Sequence, residues 1–387
     1  MVRREELPER DSGWDANSDW ELCGLKEMET LMTHRLITPT YRSSVDRRSV
    51  LKGAAAVGLS LPAVLKAPAI TRAQKTIQIA YITPGLDVPF WKYLSDGIKQ
   101  TAATLSTQNG VDIKVTDYDS RNSAETQLQN AQDVVTAGVD AIIISPTDSS
   151  TCPAVLEIAA DANVPVIIGD IGTDSGDYVS FVISTNEQGA YDAGKVLVAE
   201  MAAKGWQGSD VLMIAISQAR QNGKNRTKGI TRAVEEGGSK IVQFLQSEDY
   251  TRAEAQSQAS DLMTANPDAH GFFTQHDEAT LGTWAAIEDA KSTENIVLVG
   301  FDGSPESVEL IRQGKLRGAS MQQPVLMGRN SMDVAWRFLQ GQDVEKETSV
   351  PTILVTPDNL KDTEKTLQDT VFPVEGGGAT PEASPSS

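Results

Sequence analysis

Two carboxylates stand where apolar runs stop. Ile167-Ile168-Gly169 ends at Asp170, and Leu298-Val299-Gly300-Phe301 ends at Asp302. A carboxylate at such a place accepts two hydrogen bonds from vicinal hydroxyls, and the guanidinium of Arg226 offers a planar fork of donors. Asn186, Gln275, His276 and Gln322 are side chains that both donate and accept. Phe90, Trp91 and Tyr250 add flat apolar faces suited to the C–H side of a pyranose or polyol. The set suits a neutral, polyhydroxylated ligand. Each member also has a plainer reading. Asp302 can cap the helix starting at Pro305, although Ser304 is the better N-cap. Asp170 can be a turn residue, Phe90 and Trp91 core at a helix start, and Arg226 part of a solvated turn between Lys224 and Lys228.

Signatures of catalysis are missing. There is no G-x-S-x-G elbow and no G-x-G-x-x-G after a strand, and Gly223-Lys224 lacks the rest of a P-loop. The histidines are His34, His270 and His276, with no i, i+4 pair, so neither a His-based metal site nor a cofactor is expected. A net charge of −19 argues against nucleic acid, which requires a basic patch.

The positioning elements read as alternating strands and helices. Strands are expected over Ile77–Ile82, Val111–Val115, Ala141–Ile144, Val164–Gly169 and Tyr178–Ile183. A second series runs through Val211–Ile216, Ile241–Leu245, Gly271–Thr274, Ile296–Gly300 and Leu316–Met321, with a last strand near Pro351–Val355. Helical spacing fills the gaps, for example Leu94, Ile98 and Ala102 within Phe90–Leu105, and a helix over Asn225–Glu236. Continuous apolar strands between helices are the mark of parallel sheets covered on both faces. The chain therefore reads as α/β, with two Rossmann-like lobes and a ligand cleft between them at the strand ends.

The leader reads differently. Paired Arg47-Arg48 followed by Ser49-Val50-Leu51-Lys52, the apolar run Gly53–Leu65, and small residues up to Ala73 describe a twin-arginine export signal within residues 1–73. Val50 stands where that signal most often has Phe, and Met28 or Met32 is an alternative start. Cutting near Ala73 removes Cys23 and leaves Cys152 alone, so the exported fold has no internal disulfide to rely on. The stretch 376–387 is Gly/Pro/Ser-rich and expected to be disordered.

In order along Thr76–Leu360, several segments resemble the periplasmic sugar-binding proteins of the ribose-binding type, receptors of ABC importers. They are Asp87-Val-Pro-Phe-Trp91, Asp119-Ser-Arg-Asn122, Ile144–Ser149, Ile168-Gly-Asp170, Ser184-Thr-Asn186, Gln275-His-Asp277 with Leu281-Gly282, and Val299–Gly303. The resemblance implies a type I periplasmic binding protein. Residues 76–184 plus 323–351 form one lobe, and 187–322 plus 352–372 the other. Three crossovers near Ser184–Glu187, Gln322–Gln323 and Pro351–Val355 form a hinge. It implies ligand contacts from Phe90, Trp91, Asp170, Arg226, Tyr250, His276, Asp302 and Gln322. It also implies a monomer that closes on a monosaccharide or polyol in the periplasm and docks to the transmembrane subunits of a permease. Val88, Ile171 and His276 depart from the ribose pattern, which points to another pentose, a hexose or a sugar alcohol. Three rivals are weighed: a receptor for a nucleoside or furanone signal, an exported sugar-acting enzyme, and a repressor. The last needs a basic helix-turn-helix ahead of residue 76, where the export signal stands instead.

Overall fold

The computed structural model describes residues 76–373; the leader, Cys23 and the 376–387 tail lie outside them. The first half runs β1 (Thr76–Thr83), α1 (Pro89–Asn109), β2 (Asp112–Asp119), α2 (Ala124–Ala137), β3 (Ala141–Ile144), α3 (Cys152–Asp161), β4 (Val166–Gly169) and β5 (Ser180–Ser184). It continues with α4 (Asn186–Ala203), β6 (Val211–Ala215), α5 (Gln221–Glu236), β7 (Ile241–Gln246), α6 (Arg252–Ala265), β8 (Gly271–Thr274) and α7 (Asp277–Asp289). The last part is β9 (Val297–Phe301), α8 (Pro305–Arg312), β10 (Ala319–Met321), α9 (Pro324–Leu339), β11 (Glu347–Val350), β12 (Ile353–Val355) and α10 (Leu360–Thr370).

The strands form two six-stranded sheets, ordered β11-β5-β4-β3-β1-β2 and β12-β10-β9-β8-β6-β7. All pairings are parallel except that of β10 with β12. Every residue of β3, β4, β8 and β9 is buried, as expected of strands with helices on both faces. The edge strand β7 is different: its residues are half-buried or exposed, and Phe244 is among them. In each sheet the order reverses beside the first strand, between β1 and β3 and between β6 and β8. Such switch points open a crevice at the C-terminal strand ends.

The C-terminus adds two elements to those expected. The strand expected near Pro351–Val355 is β12, and a further strand, β11, precedes it and belongs to the other sheet. Pro351 lies between them; lacking an N–H, it cannot extend a ladder. Helix α10 was not foreseen. It buries Leu360 and Leu367 in the core of the second sheet.

Glycine sets how closely the covering helices approach. On α1, a Cβ at Gly97 would sit 2.1 Å from the Val325 carbonyl oxygen; on α9, one at Gly328 would sit 2.1 Å from that of Leu94. The two helices thus touch backbone to backbone through reciprocal glycines, and a methyl group at either forces them apart. Overpacking of this kind costs about 1–3 kcal/mol. Gly97→Ala should therefore lower the thermal melting temperature by several degrees, whereas Gly110→Ala, where a Cβ meets no neighbour and only a φ of 62° is strained, should cost less. Equal melts for the two variants would remove the close-approach explanation.

Candidate functional site

Loops at the C-terminal ends of both sheets enclose a cavity of about 360 Å³, within the size range of small-molecule sites. All eight residues singled out in the sequence line it: Phe90, Trp91, Asp170, Arg226, Tyr250, His276, Asp302 and Gln322. From the first sheet, α1 begins at Pro89 and places Phe90 and Trp91 edge to face, with ring centroids 4.8 Å apart at 88°. Trp91 is also packed into the core behind the first sheet, while Phe90 is half-buried. Asp170 directly follows β4 in a left-handed conformation, φ 65°, and Asp302 follows β9 at φ 70°. Few non-glycine residues adopt that region, though Asp is among those enriched in it. The bend turns each carboxylate off its strand at the cavity.

Arg226 is the centre of the second-sheet wall. Its side chain is 2% exposed, so the reading as a solvated helix turn does not hold. Nε donates to Asn186 Oδ1 at 2.8 Å and Nη1 to the Gln275 carbonyl at 2.6 Å. Nη1 also lies 3.3 Å from Asp302 Oδ1, and the guanidinium stacks on Phe301 at 4.1 Å. Asn186 and Gln275 thus serve the cavity by holding Arg226. The Gln275 side chain is committed as well, accepting from the Ile216 N–H and donating to Thr227. Asp302 also accepts from Gln322 Nε2 at 2.6 Å. Ser304, not Asp302, caps α8, accepting from the Ser307 N–H.

His276 differs from the expectation that it both donates to and accepts from a ligand. Nδ1 accepts the Ala279 N–H as the N-cap of α7, which leaves Nε2 to donate to Ser247 Oγ at 2.7 Å. Burial, with Arg226 and Arg220 nearby, depresses its pKa to about 3, so it stays neutral. What His276 offers the cavity is a ring, packed on Tyr250 at 5.3 Å. The Tyr250 hydroxyl accepts from the Ser217 N–H at 3.1 Å.

Among the lining residues not singled out in the sequence are Asn122, Arg220 and Asn222. Asn222 Nδ2 donates to Asp170 Oδ2 at 2.9 Å, joining the α5 start to the β4 end. Arg220 donates to the Thr147 carbonyl at 2.9 Å and to Asn122 Oδ1 at 3.2 Å, and lies over the Tyr250 ring at 4.8 Å. Helix α5 begins at Gln221, four residues earlier than its spacing implied, because its first turn is wholly polar. Asn122 stood within a recognised segment; Arg220 and Asn222 carried no apolar signal to mark them.

The buried polar atoms left without partners in this cavity are both acceptors, Asp170 Oδ1 and Gln322 Oε1. Burial raises the Asp170 pKa to about 6 against the lowering pull of Arg226. Asp302 is also raised by burial, again opposed by Arg226. A buried acceptor without a partner costs about 1–3 kcal/mol, so these two atoms call for donors such as hydroxyl groups.

Comparison with known proteins places this geometry. Residues 79–343 match the family model described as a periplasmic binding protein domain. The ribose import binding protein RbsB of Salmonella typhimurium is 30% identical over 277 residues, covering 72% of this chain and 90% of that protein. A carbohydrate transporter solute binding protein from Agrobacterium radiobacter, solved in complex with D-arabinose, superimposes with a TM-score of 0.70 at 24% identity, over 78% of this chain and 100% of that one. An ABC transporter solute binding protein from Bacillus halodurans C-125, solved with myo-inositol, gives 0.67 at 24% identity over 75% and 97%. The two parallel-sheet units, the strand-end cavity and the match across most of the chain agree: this protein belongs to the periplasmic binding protein family.

Proposed function

We propose that this chain is the solute-binding receptor of an ABC importer, capturing a monosaccharide or sugar alcohol and delivering it to a membrane permease. One observation carries the reading: a strand-end cavity flanked by Phe90, Trp91 and Tyr250 whose unpartnered buried atoms are acceptors for hydroxyl protons. The relatives support it, one by its name as a ribose importer component and two by the D-arabinose and myo-inositol they hold. The eight lining residues are the ligand contacts, His276 through its ring. Residues 76–184 with 323–351, and 187–322 with 352–372, move as bodies about the three crossovers. The protein acts as a monomer in the periplasm, exported by the twin-arginine route, and forms no covalent intermediate with its cargo. Bonds from Asn222 to Asp170 and from Arg220 to Thr147 and Asn122 join the two bodies in the closed form. Ligand binding favours that form through its stronger contacts there.

A thermal-shift panel of pentoses, hexoses and alditols tests the reading. A ligand at about 100 times its dissociation constant adds about 2.7 kcal/mol of stability. One clear shift within the panel is expected; a flat panel with a shift for a nucleoside or furanone overturns the substrate class. Asp302→Asn, which keeps the shape and removes the charge, should weaken binding roughly 10- to 150-fold, since hydrogen bonds to a charged partner contribute about 1.5–3 kcal/mol. Titration calorimetry giving wild-type affinity in that variant would refute the assignment of Asp302.

Acidity supplies a further check. A hydroxyl donating to Asp170 favours its carboxylate, whose pKa in the empty protein is about 6. Affinity should thus be level above that pH and fall, by up to about tenfold per unit, as the pH drops through it. Asp170→Asn should bind more weakly and lose that portion of the slope. An unchanged profile in the variant would show that Asp170 does not meet the ligand.

A further inference from the structure

The walls of the cavity carry more carboxyl groups than cations. Besides Asp170 and Asp302 they include Asp87, Asp249, Asp277, Glu278 and Glu306, against Arg220 and Arg226. Part of the excess is answered locally. Arg226 faces Asp302, and Arg252, behind the rim, pairs with Glu278 at 3.1 Å and Glu306 at 3.2 Å. Among the described residues, Asp277 has no ion pair. Its Oδ1 accepts the Ser307 hydroxyl at 2.8 Å, and Ser304 is a second hydroxyl partner. Burial and the neighbouring Asp302 carboxylate push it well above the usual carboxylate range, the state of an acid that lacks a cation.

The hydrogen-bonding inventory points the same way. Two donors in the walls are already spent, Arg226 Nε on Asn186 and His276 Nε2 on Ser247, and the amides of Asn222 and Gln322 each commit one of two N–H groups, to Asp170 and Asp302. The buried atoms left over, Asp170 Oδ1 and Gln322 Oε1, accept. A hydroxyl brings one proton and an oxygen that itself seeks a donor. An ammonium group brings three N–H donors, no acceptor and a positive charge. A carboxylate or phosphate on the ligand meets the opposite fate in these walls, because like charges repel where water is displaced.

Resting on the receptor reading, we propose that the cargo is a sugar or polyol bearing a protonated primary amine, its ammonium group beside Asp277 and its hydroxyls on Asp170 and Gln322. The ligand's charge then completes the cavity, and the aromatic rings take its C–H face.

Titration calorimetry of the full chain with matched pairs tests this: D-glucosamine with D-glucose, D-galactosamine with D-galactose, and 1-amino-1-deoxy-D-glucitol with D-glucitol. In at least one pair the amine should bind ten or more times tighter than its hydroxyl counterpart. N-acetylation, which removes the charge, should erase the advantage, and added salt should shrink it. Asp277→Asn, which retains an acceptor for Ser307, should narrow the ratio to threefold or less. Hydroxyl members binding as tightly as their amines overturn this inference and leave the sugar receptor standing. Silence from every member of every pair overturns this inference, and the thermal-shift panel then decides the receptor reading on its own.

Discussion

A guanidinium withdrawn from water organises the second half of this molecule. Arg226 is 2% exposed, and a buried charge is tolerable only when paired and hydrogen-bonded. Its partners come from three places far apart in the chain: Asn186 opening α4, the carbonyl of Gln275 after β8, and Asp302 after β9. Phe301 closes one face by a cation–π contact. Holding one cation therefore fixes the ends of two neighbouring strands and the start of the helix that follows the first crossover. The Asp302 carboxylate inherits its position, and so does Gln322, which donates to it.

This arrangement consumes donors and leaves acceptors, which is why the cavity has a chemical polarity of its own. Asn222 shows the effect most directly. It reaches across from α5 to one oxygen of Asp170 and leaves the other bare and buried. A single side chain thus joins the start of α5 to the end of β4 and leaves the other Asp170 oxygen without a partner in the cavity. The left-handed backbone at Asp170 and Asp302 is a local strain of the kind found where a side chain must be aimed.

Much of this was legible in the chain because burial writes itself into residue type. Runs such as Ala141–Ile144 and Val297–Phe301 are apolar throughout, since helices cover both faces, and the polar residue that ends each run marks the cavity side. What stayed hidden is polar and local. The first turn of α5, Gln221-Asn222-Gly223-Lys224, shows no periodicity, so Arg220 and Asn222 carried no signal. The residue type of His276 permits ligand contact, helix capping and a buried hydrogen bond alike; only the positions of Ala279 and Ser247 decide among them. Likewise, the strand expected near Pro351–Val355 gave no sign of β11 before it, and the transfer of chain from one sheet to the other between β11 and β12 is a property of the whole fold.

That same threading governs how the protein emerges from the ribosome. Strand β5 is complete at Ser184, yet α9, which supplies Met327, Met332, Ala335 and Trp336 to the core beneath the first sheet, starts at Pro324. Roughly 140 residues separate them, and at about 5–20 residues per second they take on the order of ten to thirty seconds to synthesise. Throughout that interval the nascent first sheet has one apolar face covered only by α1 and one edge without β11, while the strands of the second sheet are still being made. The unit begun first is completed only when β11 is made, just before β12 and α10 complete the second, and for that time it leaves apolar surface open to association.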